Sequence, residues 1–395
     1  MNLEKLCQEK AEVIISNFLD EEINTNDNGL YSGRGGISLL YLTYFKDDIN
    51  KYSEVIQNPI ILAFNSINQI NTPFKYSFCE GIAGINWLIL LLAKNNIIDS
   101  SELEILDALD SFLIAKMETD LNNNNYDFLH GALGIATYYI LKYSFTNNKA
   151  PLEQLVNGLK ENAIWNNSYC YWLFKVGSKG DLEPSVSLAH GIPSVVIILS
   201  KIYALGIMKD ECRKMIIGAI EYIATQKVNT LSLYATINTK YDKKDHSRLA
   251  WCYGDIGVAL AYWQAGKNLN NKIWKDTSIE IAQHIALRKN LKENYVVDAC
   301  FCHGSSGIAQ FFNRMYIETK HTEFEQAMDY WIDVTLKMGT STVKNAGYTT
   351  WTVKDQNDWT EEYSLLEGIV GIGLVLLSYK KEKIPFDWDM VFLMS

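Results

Sequence analysis

Gly81-Ile82-Ala83-Gly84-Ile85-Asn86-Trp87-Leu88-Ile89-Leu90-Leu91-Leu92-Ala93 decides the fold. Two glycines three residues apart open a run of about three helical turns that is apolar nearly all round, as a helix covered on both sides must be. The same opening recurs at Gly33-Arg34-Gly35-Gly36, Gly131-Ala132-Leu133-Gly134, Gly191-Ile192-Pro193-Ser194, Gly254-Asp255-Ile256-Gly257, Gly304-Ser305-Ser306-Gly307 and Gly368-Ile369-Val370-Gly371. Only the fourth copy departs from the rule, with Ser194 where the second glycine belongs. First glycines at 33, 81, 131, 191, 254, 304 and 368 give steps of 48 to 64 residues, a spacing that marks a repeat architecture.

Before the inner runs lie amphipathic segments, for example Ser101–Thr119, Cys212–Lys227 and Ile273–Leu287, with apolar positions at three- and four-residue steps. The unit is therefore outer helix, loop, Gly-x-x-Gly, inner helix, used seven times, and seven such hairpins avoid open ends if they close into a ring. The sequence predicts an all-α fold in a single domain over residues 1–395. Glycine lets backbones approach where inner helices start near a shared axis. Helix N-termini converging there present unsatisfied N–H groups and positive dipole ends, a setting that suits thiolates and other anions. The stretches 165–189 and 339–364, rich in aromatic, Thr, Gly and Asn residues, read as long loops or short hairpins beside inner-helix starts, and Asn122–Asn125 as a turn.

Composition narrows the function. Hydrophobic residues make up 48% and charged residues 21% of 395, an ordinary globular balance, and six prolines fit a helical chain. The net charge of -10, without a dense Lys/Arg block, leaves a nucleic-acid partner no electrostatic footprint. The N-terminal stretch lacks the layout of a signal peptide, and no apolar run reaches the 18–20 residues a membrane span needs. Seven scattered cysteines suggest thiols or metal ligands in a reducing cytosol rather than a disulfide framework, so the expected location is cytoplasmic.

Three of the seven loops carry unusual side chains: Ala250-Trp251-Cys252-Tyr253-Gly254, Cys300-Phe301-Cys302-His303-Gly304 and Leu188-Ala189-His190-Gly191. Cys252 and His303 stand two and one residues before their repeat glycines, so related loop positions point at one centre. Two cysteines and a histidine, Cys252, Cys302 and His303, suit one Zn²⁺ ion, and three protein ligands leave the open fourth position of a catalytic site. Two thiolates cancel the metal's charge, so an incoming thiolate stays electron-rich while its thiol loses its proton near neutrality. Cys300 reads as a core residue, Cys79 as more of a packing residue than a lining one, and His130 receives no role.

Trp251-Cys252-Tyr253-Gly254, Cys302-His303-Gly304 and Ala189-His190-Gly191-Ile192-Pro193, on a sevenfold Gly-x-x-Gly repeat, resemble the lanthionine synthetase C (lantibiotic cyclase) family. The resemblance runs from Gly33 to the inner helix after Gly371. It implies an α,α-toroid with zinc at Cys252, Cys302 and His303. It also implies addition of peptide Cys thiols to dehydroalanine or dehydrobutyrine in a dehydrated precursor peptide, forming lanthionine or methyllanthionine rings. It places His190, and Asp127 of Tyr126-Asp127-Phe128-Leu129-His130-Gly131, beside the metal as acid/base residues, and matches Arg248 to a basic position near the active site. The implied partners are a dehydrated precursor peptide, a dehydratase and a peptide exporter complex, with a location in the cytoplasm or at the periphery of a membrane-associated biosynthetic complex. Two other readings stand beside the cyclase: a conjugase joining glutathione to dehydroamino acids, and a binding or regulatory module that keeps zinc for structure.

Overall fold

A computed structural model describes every residue except 1, 21–27, 67–72, 177–180, 229, 235–245, 340–344 and 353–357. Among the described residues, fourteen α-helices alternate between the two predicted types. The outer ones are odd-numbered and the inner ones even-numbered: α1 (Leu3–Asp20), α2 (Gly35–Tyr44), α3 (Ile49–Asn65), α4 (Ile82–Lys94), α5 (Glu104–Asn122), α6 (Ala132–Thr146), α7 (Ala150–Asn162) and α8 (Ile192–Ala204). The series continues with α9 (Lys209–Thr225), α10 (Asp255–Asn268), α11 (Lys272–Leu287), α12 (Ser305–Thr319), α13 (Thr322–Met338) and α14 (Ile369–Ser378). Each even-numbered helix begins at a Gly-x-x-Gly copy, and α4 is buried on every side from Ile82 to Ala93. The outer α1 buries only Cys7, Ala11, Ile14, Ile15 and Phe18, one stripe at three- and four-residue steps.

The chain divides into two compact units. One comprises Met1–Asn71, Leu249–Trp251 and Ala286–Ser395; the other comprises Thr72–Arg248 and Cys252–Ile285. In the second unit, inner helices pack on inner ones (α4 on α6, α6 on α8, α8 on α10) and outer on outer (α5 on α7, α7 on α9). In the first, α14 packs on both α12 and α2, and α1 on α13. The seventh copy therefore meets the first directly.

The second glycine of the motif is explained by what lies against it. A Cβ at Gly371 would stand 2.2 Å from the Leu365 carbonyl oxygen and 3.2 Å from Phe301 Cβ. At Gly36 it would stand 2.8 Å from Leu365 Cβ, so a side chain three residues before a repeat glycine sits on the second glycine of the neighbouring copy. Gly254 adds a backbone reason, with φ of 81°, a region costly to any residue with a Cβ. In the fourth copy the serine is accommodated, its hydroxyl donating to the Gly191 carbonyl at 2.7 Å.

Short antiparallel hairpins occupy the two stretches expected to be loops or hairpins. β1 (Ile164–Asn166) pairs with β2 (Tyr169–Tyr171), β3 (Phe174–Val176) with β4 (Asp181–Glu183), and β5 (Thr350–Thr352) with β6 (Asp358–Thr360). Asn167 supplies the left-handed residue of the first turn at φ 53°. Trp351 lies opposite Trp359, their ring centres 5.6 Å apart.

The C-terminal segment Pro385–Phe392 secures the loop before α12. Phe392 stacks on Phe301 at 3.7 Å between centroids, and its carbonyl accepts the Trp251 indole N–H at 2.9 Å. Asp389, fully buried, binds Arg314 of α12 twice, at 2.9 and 2.5 Å, and accepts Gln310 Nε2 at 3.0 Å.

Candidate active site and metal corner

Five of the seven repeat loops turn on one and the same hydrogen bond. The residue after the first glycine donates its N–H to the carbonyl seven residues earlier: Ile82 to Lys75 (2.8 Å), Ala132 to Asn125 (3.1 Å), Ile192 to Ser185 (2.8 Å), Ser305 to Asp298 (3.1 Å) and Ile369 to Glu362 (3.0 Å). Neighbouring loops are then tied by their residues two before the glycine. In the first unit Cys302 N–H donates to Leu366 (2.9 Å) and Leu366 N–H to Tyr31 (3.2 Å), so the seventh loop pairs with the first. These bonds place the residues just before each glycine at inner-helix N-termini.

In the first unit the donor atoms of Cys302, His303 and Glu367 lie within 4.8 Å of one another. Glu367 stands one residue before Gly368, the register position that His303 has before Gly304. Behind His303 sits Asp298, whose side chain is 0% exposed; the imidazole Nε2 lies 3.1 Å from its Oδ2. Asp298 also accepts the backbone N–H groups of Trp351 (3.0 Å) and Cys300 (3.2 Å). Burial pushes this carboxyl's pKa up, but the His303 hydrogen bond and charge, with the backbone donors, hold it below its ordinary value. With Nε2–H committed to Asp298, Nδ1 carries the ring's lone pair. That is the tautomer a metal ligand needs, and a carboxylate behind a ligating histidine is the usual support for one. A thiol, an imidazole so held and a carboxylate form a donor set that fits a borderline divalent ion. Cys300 is buried, its Sγ accepting the His303 N–H at 3.5 Å, and burial raises its pKa well above the ordinary value. Its Sγ also lies within 4.8 Å of the donor atoms of Asp298 and His303.

In the second unit Asp127 and His190 form a hydrogen bond between carboxylate Oδ2 and Nδ1. The other oxygen of Asp127 accepts the backbone N–H groups of Leu129 and His130, both at 2.8 Å. One carboxylate thus caps its loop and orients the imidazole. Burial pushes the Asp127 pKa up, yet the charge and hydrogen bond of His190, with help from His130, hold it below the usual carboxylate value. For His190 burial favours the neutral ring, but Asp127 and the Cys252 sulfur together raise its pKa. The His190 loop also grips Cys252: Ser187 Oγ donates to the Cys252 carbonyl at 2.8 Å, and Leu188 N–H does so at 3.0 Å. Ser187 Oγ in turn accepts the His190 N–H at 3.1 Å. Tyr253, next to Cys252, places its ring 6.1 Å from that of His190.

The structure therefore joins His190 to Asp127 and to the loop of Cys252, and it joins Cys302 to His303. Cys252 itself is buried in the second unit, at 4% exposure, while Cys302 and His303 belong to the first. Arg248 is half-buried; its carbonyl would lie 2.9 Å from a Cβ at Gly254, so its backbone serves the loop turn.

Known proteins match this chain along nearly its whole length. The family described as Lanthionine synthetase C-like protein matches residues 24–393. The chain belongs to that family. It is 25% identical over 375 residues to the nisin biosynthesis protein NisC of Lactococcus lactis subsp. lactis, covering 84% of this chain and 86% of that protein. Its structure is similar to that of nisin cyclase with a TM-score of 0.74 at 20% identity, over 98% of this chain and 97% of the other. The likeness bears out the all-α, α,α-toroid fold class.

Asp298 and Glu367 were not singled out from the sequence. The signal was there in register: Asp298 stands six residues before Gly304, the position whose carbonyl closes five of the loops, and Glu367 takes the His303 position in the next copy. No helix among the described residues is long and apolar enough to cross a membrane.

Proposed function

We propose that this member of the lanthionine synthetase C-like family is a zinc-dependent peptide cyclase. It adds Cys thiols of a dehydrated precursor peptide to dehydroalanine or dehydrobutyrine, giving lanthionine and methyllanthionine rings. The observation that carries the reading is the Asp127–His190 pair, hydrogen-bonded and held on the loop that grips Cys252.

Cys252, Cys302 and His303 would hold one zinc ion; Cys252 enters this set from its register in the repeat and from the family resemblance. Bound there, the ion's chemistry is to lower the pKa of an incoming thiol while two protein thiolates keep that sulfur electron-rich. The remaining work belongs to side chains. The peptide sulfur forms a bond to the β-carbon of the alkene, and the π pair moves to the α-carbon and its carbonyl. Asp127 holds the Nδ1–H of His190 and favours its protonated ring, and the imidazolium delivers its other proton, the one on Nε2, to the α-carbon. Asp127 keeps its charge and fixes the tautomer. The thiol proton lost at the start restores His190, so substrate and product have equal mass. Arg248 adds positive charge for the developing enolate. In this reading a dehydratase supplies the substrate, an exporter complex takes the product, and the protein works in the cytoplasm or at the periphery of a membrane-associated assembly.

The test is incubation of the zinc-loaded protein with a dehydrated, Cys-containing peptide, followed by thiol alkylation and mass spectrometry. Wild-type protein should leave the peptide mass unchanged and abolish alkylation, and Cys302→Ala should leave every thiol open to it. Identical alkylation with and without protein would sink the reading. A product heavier by one glutathione, when that thiol is supplied, would replace it with the conjugase.

A further inference from the structure

The register that builds the metal corner recurs elsewhere in the chain, with its own donors. In the sixth loop Cys302 stands two residues before the glycine and His303 one before; in the next loop Glu367 stands one before. In the second loop Cys79 stands two before Gly81 and Glu80 one before; in the next loop His130 stands one before Gly131. The two trios have the same three donor types at the same three positions, with histidine and glutamate exchanged.

The backbone repeats as well. Cys79 N–H donates to Leu129 at 3.0 Å, as Cys302 N–H donates to Leu366 at 2.9 Å, and both acceptors lie two residues before their glycines. The donor atoms of Cys79, Glu80 and His130 also lie within 4.8 Å of one another, with His130 Nε2 3.2 Å from Glu80 Oε1. Asp127 Oδ1 stands 3.8 Å from His130 Nδ1, a carboxylate behind this imidazole too. Phe74 covers the ring at 4.5 Å between centroids. Cys79 is 5% exposed, whereas the His130 and Glu80 side chains are 25% and 31% exposed, so the trio combines a buried cysteine with an open approach.

We propose that Cys79, Glu80 and His130 form a second metal site, built on the same loop register as the first and separate from the residues assigned to cyclisation. One thiolate and one carboxylate balance the charge of a divalent ion, and the mixed sulfur, oxygen and nitrogen set selects a borderline transition ion such as Zn²⁺ or Co²⁺ over Mg²⁺ or Ca²⁺. An ion there would sit beside Asp127 and so adjoin the carboxylate that orients His190.

The test is cobalt titration of the full-length protein stripped of metal, followed by the thiolate-to-cobalt charge-transfer band. Cys302→Ala should keep one equivalent and its band. Cys79→Ala and, independently, His130→Asn should each lose or weaken at least tenfold the equivalent that Cys302→Ala retains. Two substitutions on different loops keep the outcome readable if either one disturbs folding. Cobalt uptake unchanged in both Cys79→Ala and His130→Asn would overturn the site, and so would a Cys302→Ala protein that binds no cobalt. Failure of the cyclase reading looks different: Cys302→Ala would then leave cobalt uptake untouched while Cys79→Ala reduced it.

Discussion

Asp298 touches no substrate in this account, yet it sets what His303 can do. Its carboxylate is wholly enclosed and divided among an imidazole and two backbone donors. Asp298→Ala should therefore weaken zinc about 10–100-fold by chelator competition, the range for supporting carboxylates. An unchanged zinc affinity would mean that the carboxylate serves only the β5–β6 hairpin. His190 gives the opposite signature. His190→Ala should keep its zinc while turnover falls by about 10²–10⁴, the span of general acid catalysis, and loss of the metal would show that the ligand set is wrong. Cysteine and histidine stood out in the sequence as candidate ligands because few side chains bind zinc and these fall at matching loop positions. Asp298 was not legible, because a carboxylate reads as surface charge until a fold encloses it.

Helix α5 carries its own titration. Asp120, in its last turn, accepts Tyr76 Oη at 3.0 Å and Asn125 Nδ2 at 2.8 Å, both through Oδ1. Burial raises its carboxyl from the usual range to about 6, against the pull of those two donors. Between about pH 4 and 6 the folded state therefore binds more protons than the unfolded one, so this group's contribution to stability falls as pH rises. An amide oxygen can accept both bonds, so Asp120→Asn should be more stable than wild type near pH 7, by at most about 2–3 kcal/mol. The difference should shrink to nothing near pH 4; a gap independent of pH in denaturant melts would contradict this. At the repeat glycines the cost runs the other way. Gly254→Ala places a methyl at φ 81° and 2.4 Å from Ser247 Oγ, and should destabilise by about 1–3 kcal/mol in the same melts. The inner helices were legible, because a mostly apolar run after a glycine-marked turn, repeated seven times, has no other stable use. The hairpins at 164–183 and 350–360 were legible only as loops or hairpins, since three-residue strands carry too little periodicity to set a register.

At the scale of the molecule, closure depends on the last copy finding the first. Leu365 lies against Gly36, Leu366 N–H reaches Tyr31, and the Tyr31 hydroxyl bonds the Val391 carbonyl. The buried Arg314–Asp389 pair locks the C-terminal segment over Phe301, one residue from Cys302. Asp389→Ala removes the two buried bonds of that guanidinium and leaves it Asp387 at 3.1 Å and Glu318 at 3.8 Å, so it should cost about 2–3 kcal/mol, below the full penalty for an unpaired buried charge, read as a lower midpoint in denaturant. The repeat forecast the sevenfold architecture from spacing alone, but it held no trace of this clamp, whose partners are 75 residues apart and follow no period. The most direct test of the whole account is zinc-edge X-ray absorption on Cys79→Ala protein loaded with one equivalent of zinc. The expected shell holds two sulfurs and one imidazole nitrogen with one further light atom, and it loses a sulfur in Cys252→Ala. A shell that keeps both sulfurs in that variant, or that contains none to begin with, would contradict it.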